Sequence, residues 1–287
     1  MQQRPGSQTA STRILVGVST KMYLGYRDSL DWLERLRHEV DTRPALAAGR
    51  VVPFVIPSFP VLPAAARLLA GSPVLLGAQN CGWADGPWTG EVAPSMLAEL
   101  GVRIVEIGHA ERRRHFNEDE AMVSLKVRAA DDAGLTPLLC VGEPDSGQPA
   151  GAADFVYRQI ESAVDGDWEL TGRLTIAYEP VWAIGTAEPA AAAYVSDVVQ
   201  RLRTQLALAG VRELPVIYGG SAKPGLLPTL DGVSGLFLGR FAHDPANFGA
   251  VLDEAFRLDN ALLLDEGFPA AGTATDTAMD GHAPPWS

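Results

Sequence analysis

The chain has 287 residues, 47% of them hydrophobic, which is enough apolar material for two average domains or one large core. A single α/β barrel uses roughly 250 residues, so length alone leaves both open. The formal net charge of −12 argues against general affinity for nucleic acid or an anionic membrane surface, both of which favour a basic face, so an anionic ligand would need a local positive site.

Residues 1–11 are polar with one Pro and one Gly, and residues 266–287 are rich in Ala, Gly, Pro, Thr and Asp without periodicity. Both read as flexible tails around one domain at 12–262. Within it, short apolar strand candidates lie at 13–18, 51–56, 73–78, 102–107, 135–141, 173–178, 214–218 and 234–238. Helical patterns at 27–42, 60–70, 94–100, 118–133, 152–165 and 189–209 alternate with them. Alternation predicts a parallel sheet, and eight repeats predict closure into a (β/α)8 barrel. The alternative is a doubly wound open sheet, but Gly17-Val18-Ser19-Thr20-Lys21 lacks the glycine-rich dinucleotide turn after the first strand.

Cys81 and Cys140 form neither a metal-ligand cluster nor a disulfide framework, and Cys140 falls in an apolar strand as a core packer. No run approaches the ~18 apolar residues of a membrane span, and the first residues lack the apolar core of a signal peptide. The expected setting is the cytoplasm.

In such a barrel the chemistry sits at the C-terminal ends of the strands. Strand one exits at Ser19, Thr20 and Lys21, and Lys21 could supply positive charge to a bound anion or a developing oxyanion. Strand four, VRIVEIG (102–108), exits at His109, followed by Ala110, Glu111, Arg112 and Arg113. At a helix start the positive dipole end disfavours imidazolium, so a neutral ring can donate to a carbonyl oxygen. Arg112 and Arg113 read as structural partners of nearby carboxylates. Strand six, LTIAY (174–178), delivers Glu179, which Pro180 holds extended. Residues Val181, Trp182, Ala183 and Ile184 then form an apolar loop, closed by Gly185 and Thr186, that is costly to leave in water and reads as a lid. Backbone N–H groups at Gly185, at Ser221 in YGGS (218–221) and at Gly239-Arg240 could form a phosphate nest after strands six, seven and eight.

The decapeptide AYEPVWAIGT (177–186) closely resembles the base and closing loop of the triosephosphate isomerase family, and STKM (19–22) is similar to the family's Asn-Trp-Lys-Met. The resemblance runs from the first strand to the last helix. It implies Glu179 as base, His109 as electrophile, Lys21 as substrate cation with Glu111 as its partner, and Ser19 beside the substrate. It also implies that GAQN (77–80) supports Lys21, that Thr89 in GPWTGE (86–91) reaches into a partner subunit of a homodimer, and that no metal or organic cofactor is needed.

Five departures surround this pattern. Ser19 stands for the family's Asn, Thr20 for Trp, Ala110 for Ser and Arg240 for Gly, while Ala187-Glu188-Pro189 replaces Gly-Lys-Thr at the second lid hinge. The Arg240 side chain is expected across the mouth or on the phosphate as a bidentate donor. The resemblance implies an aldose–ketose isomerase working through an enediolate, with triose phosphates as the first reading. Ser19, Thr20 and Arg240 favour the alternative, an isomerase joining erythrulose 1-phosphate and erythrulose 4-phosphate. A third reading, of another class, is a non-catalytic barrel that binds a phosphate ligand or a partner protein.

Overall fold

The computed structural model of the protein describes residues 13–186 and 188–265, so both expected tails and Ala187 lie outside the described residues. Eight parallel strands close into a barrel in sequence order. They are β1 (Ile14–Ser19), β2 (Val51–Ile56), β3 (Leu75–Ala78), β4 (Ile104–Ile107), β5 (Thr136–Val141), β6 (Thr175–Tyr178), β7 (Val216–Gly220) and β8 (Gly235–Leu238). Around them run α1 (Tyr26–Asp41), α2 (Leu62–Leu68), α3 (Pro94–Glu99), α4 (Ala110–Phe116), α5 (Glu120–Asp132), α6 (Pro149–Val164), α7 (Ala192–Leu208) and α8 (Pro245–Asp265). Among the described residues no helix is long and apolar enough to cross a membrane.

The strands and six helices fall where the apolar patterns put them, with ends shifted by up to three residues, and α8 continues three residues beyond the expected boundary at 262. Helix α4 lies outside those patterns because AERRRHF buries no side chain and so carries no apolar stripe. Helix α8 was not among them either, yet Phe248, Val251, Leu252 and Ala255 are fully buried.

Strand pleating separates two apolar sets. Val16, Val18, Val55, Val105, Leu139, Ile176 and Val216 face outward into the layer under the helices. Phe54, Ile56, Ile104, Leu138, Cys140, Ala177, Ile217 and Phe237 fill the barrel itself, which confirms Cys140 as a core packer. The inner set is packed by size. Gly17 has no side chain because the Phe54 ring occupies the space a Cβ would need, and Phe54 stacks on Phe237 with ring centroids 5.7 Å apart.

The turn that carries His109 is clamped from behind. Glu118, buried to 4% exposure, accepts from the Gly108 N–H at 3.2 Å, Arg112 Nε at 2.7 Å and Lys126 Nζ at 2.7 Å. Lys126 also donates to Asn80 Oδ1 at 2.9 Å. Arg113 donates to the Gly108 carbonyl at 2.6 Å and pairs with Glu120 at 2.7 Å, so both arginines have the structural role expected. Breaking a buried pair leaves an uncompensated charge, so Lys126→Met is expected to cost about 3–5 kcal/mol in denaturant unfolding.

Candidate active site

A cavity of about 500 Å³ opens at the C-terminal mouth, lined by the exits of β1, β4, β6, β7 and β8. It gathers Ser19, Lys21, His109, Glu111, Glu179, Gly185, Ser221, Gly239 and Arg240 from distant parts of the chain. Every site residue named from the sequence therefore meets here except Thr89, which is exposed on the loop after β3.

Lys21 adopts a left-handed backbone at φ 48°, a conformation that costs a non-glycine residue about 1–3 kcal/mol and persists only where neighbours enforce it. Gln79 Nε2 donates to the Lys21 carbonyl at 2.8 Å, so GAQN supports the lysine through Gln79, whereas Asn80 turns to Lys126. Lys21 Nζ donates to Glu111 Oε1 at 2.5 Å. Burial works against the Lys21 charge, but the Glu111 hydrogen bond and the nearby Glu179 and Glu106 outweigh it, raising the pKa above its ordinary 10.5. Burial likewise pushes Glu111 up, and Lys21 and His109 more than offset it, so its pKa falls below 4.5. Both therefore stay charged at neutral pH.

His109 caps α4, its Nδ1 accepting from the Glu111 N–H at 3.1 Å. A ring nitrogen that accepts carries no proton, so the neutral imidazole holds its hydrogen on Nε2. Nε2 lies 3.4 Å from Glu179 Oε2. Glu179 is only 7% exposed, and its Oε2 has no hydrogen-bond partner among the described residues. Its N–H donates to the Val141 carbonyl at 2.8 Å, and Gly219 lacks a side chain because a Cβ there would collide with the carboxylate. The carboxylate, imidazole and ammonium face one space, as proton abstraction next to a carbonyl requires.

The lid is tied down at both ends. Trp182 Nε1 donates to Glu143 Oε1 at 2.8 Å, and the hydroxyls of Tyr194 and Tyr178 donate to the same carboxylate at 2.8 and 3.1 Å. At the other end Ser221 Oγ donates to the Thr186 carbonyl at 2.5 Å, and the Ala190 N–H donates to the Tyr218 hydroxyl at 3.2 Å. The Ser221 hydroxyl is thus spent on the lid. Arg240 lies over Tyr23, its guanidinium carbon 5.9 Å from the ring centroid. Tyr23 follows β1, the neighbour of β8, so Arg240 leans along the rim instead of across the mouth, and a cation on an aromatic face remains available to an anion.

Two residues of the site escaped the sequence reading. Glu143, just past β5, was legible as a carboxylate at a strand exit. Glu106 lies inside β4, 4% exposed, and lines the cavity with His109 Nε2 3.9 Å from its Oε1. Its signal was an acid inside an otherwise apolar parallel strand. Burial raises the Glu106 pKa above 4.5 and Glu179 adds to the shift, against the opposing effects of His109, Ser19 and Lys21.

The fold and these groups define an isomerase that moves a proton between neighbouring carbons in a (β/α)8 barrel. The sequence pattern of the triosephosphate isomerase family matches residues 14–255, and the chain belongs to that family. It is 50% identical over 256 residues to the L-erythrulose-1-phosphate isomerase of Pectobacterium atrosepticum, covering 88% of this chain and 99% of the relative. It is 36% identical over 246 residues to a triosephosphate isomerase of Synechococcus, covering 84% and 96% respectively. The crystal structure of triosephosphate isomerase from Bartonella henselae superposes with a TM-score of 0.71 at 30% identity, covering 85% of this chain and 99% of that one.

A carboxyl group whose pKa is raised on folding stabilises the fold fully below its unfolded value of 4.5 and less as pH rises. Glu106→Gln is therefore expected to raise the melting temperature at pH 7, with the gain shrinking as pH falls toward 4.5. Calorimetry across that range checks it.

Proposed function

We propose that the enzyme interconverts L-erythrulose 1-phosphate and D-erythrulose 4-phosphate through an enediolate. The observation that carries this reading over triose phosphates is the 50% identity, over nearly the whole length of both chains, to a protein bearing the first of those names, against 36% to one named for the triose reaction. The altered rim agrees. Ser19 lines the cavity where the family resemblance puts Asn, so the wall beside Lys21 is smaller there, while Thr20 is buried outside the lining. The triose phosphate reading, placed first on the sequence, gives way to the alternative.

Both tetruloses are ketoses, so the reaction moves a carbonyl from one carbon to its neighbour within the chain instead of converting a ketose to an aldose. Glu179 removes the proton from the hydroxyl-bearing carbon next to the carbonyl. His109 Nε2–H and Lys21 stabilise the enediolate oxygens, and His109 passes the hydroxyl proton between them. Glu179 returns its proton to the former carbonyl carbon. The phosphate sits on the backbone amides of Gly185, Ser221, Gly239 and Arg240, with the Arg240 side chain adding charge. The docked lid excludes water and suppresses loss of phosphate from the enediolate. A non-catalytic barrel would have no use for a buried carboxylate whose Oε2 lacks a hydrogen bond while facing an imidazole at 3.4 Å.

We also propose a homodimer. The loop bearing Thr89 is exposed and stiffened by Trp83 packed on Trp88, ring centroids 4.8 Å apart, a shape suited to insertion into a second copy.

Offered tetrulose and triose phosphates in parallel, the purified enzyme is expected to favour the tetrulose by at least about tenfold in kcat/KM, roughly 1.4 kcal/mol. Turnover of triose phosphate alone would overturn the substrate assignment, and turnover of neither would overturn the roles of Glu179 and His109. Glu179→Gln should lower kcat by about 10²- to 10⁴-fold, the usual contribution of a general base. Sedimentation equilibrium should give twice the chain mass, with Thr89→Arg shifting it toward the monomer.

A further inference from the structure

Six carboxyl side chains are buried among the described residues: Glu106, Glu118, Glu143, Glu179, Glu254 and Asp259. Four are consumed by the fold. Glu118 and Glu143 each accept three hydrogen bonds, as described above. Glu254 accepts from the Gly225 and Leu227 N–H groups, and Asp259 takes a bidentate pair from Arg50 at 2.8 Å. The other two line the cavity. Glu179 is the base. Glu106 has no such duty, and its neighbour Ser19, itself 4% exposed, has an Oγ without a hydrogen-bond partner of good geometry.

Pleat places these two groups on the floor. Glu106 lies two residues after Ile104, Ser19 two after Gly17 and Glu179 two after Ala177, so all three continue inward-facing rows. The proposed phosphate site uses the lid, Ser221 and Gly239 in the same cavity, whereas Glu106 lies beside His109, its Oε1 3.9 Å from Nε2, and Ser19 precedes Lys21 at the exit of β1. A substrate held by its phosphate at the rim and reacting between Glu179 and His109 must direct its remaining carbon toward that floor. In a tetrulose phosphate this carbon is a hydroxymethyl group beyond the two reacting carbons, whose hydroxyl can both donate and accept. A triose phosphate has no carbon beyond the two that react.

We propose that Glu106 and Ser19 bind the terminal hydroxymethyl group of the substrate and so select four-carbon over three-carbon sugar phosphates. This assignment rests on the tetrulose reading of the site. Burial favours the protonated form of Glu106; in that form one carboxyl oxygen donates while the other accepts, and the Ser19 hydroxyl completes the pair. A neutral acid also avoids a further negative charge beside Glu179 and the developing enediolate. A site built to hydrogen-bond a hydroxyl discriminates against a ligand lacking it, because its own buried groups are then left unpaired.

The test compares wild-type enzyme, Glu106→Val and Glu106→Gln on L-erythrulose 1-phosphate and dihydroxyacetone phosphate. In Glu106→Val the ratio of kcat/KM for the tetrulose to that for the triose should fall about 10- to 100-fold. Gln, which can also donate and accept, should hold the ratio within about fivefold of wild type. Should Glu106→Val fail to fold, Ser19→Ala removes the other partner and should lower the ratio about tenfold. An unchanged ratio in Glu106→Val, or in Ser19→Ala where that variant stands in for it, overturns the assignment. So does an equal loss on both substrates, which would mark a general catalytic or structural role. A wild-type enzyme inactive on the tetrulose overturns the substrate reading itself and this assignment with it, and is seen before any substitution is made.

Discussion

The parity of the eight parallel strands is the constraint on which the site depends. Because the barrel is closed, every second residue of a strand points into a space filled by the other strands, and below the mouth that space admits only apolar side chains matched in volume, as Gly17 and Phe54 show. One pleat further up, the inward rows end in Ser19, Gln79, Glu106 and Glu179. The same alternation that packs the core thus delivers a polar floor to the cavity without any loop having to find its place.

A polar floor inside a low-dielectric barrel must settle its own electrostatics. Among the described residues Lys21 is the cation next to Ser19 at the exit of β1, and Glu111 has already claimed it at 2.5 Å. A second charged carboxylate beside Glu179 would go uncompensated, and burial together with Glu179 pushes the Glu106 pKa up, toward the protonated form. His109 resolves its own position differently. Accepting from the Glu111 N–H fixes the Nε2–H tautomer, which turns a donor toward the cavity without placing an imidazolium beside Lys21.

Much of this was legible in the sequence. Eight apolar runs at regular intervals gave the barrel, because parallel strands buried on both faces are continuously hydrophobic. Lys21, His109 and Glu179 sit at strand exits, where a residue's position in sequence nearly fixes its position in space. Helix α4 was illegible because it buries nothing, and its place is set by Arg112 and Arg113 pairing with carboxylates further along the chain. Glu106 was illegible for the opposite reason. One acid in VRIVEIG does not stop a strand, and whether it faces the helices or the barrel depends on a register that only the closed sheet defines.

The lid and the floor divide the work between them. The lid segment 177–186 is the part most similar to the family, and the structure holds it through Glu143 at one end and Tyr218 and Ser221 at the other. Those ties involve the loop's own backbone and Trp182, not any group reaching toward a particular sugar. The departures from the family pattern instead lie at the exits of β1, β4 and β8 and at the far hinge, where Pro189 restricts the backbone. With the lid tied at both ends, the differences from the family pattern that face the cavity lie beneath it, at the strand exits. The short side chain at Ser19 leaves room in the cavity, and a buried acid at Glu106 makes that space polar, suited to a hydroxyl more than to a methyl group.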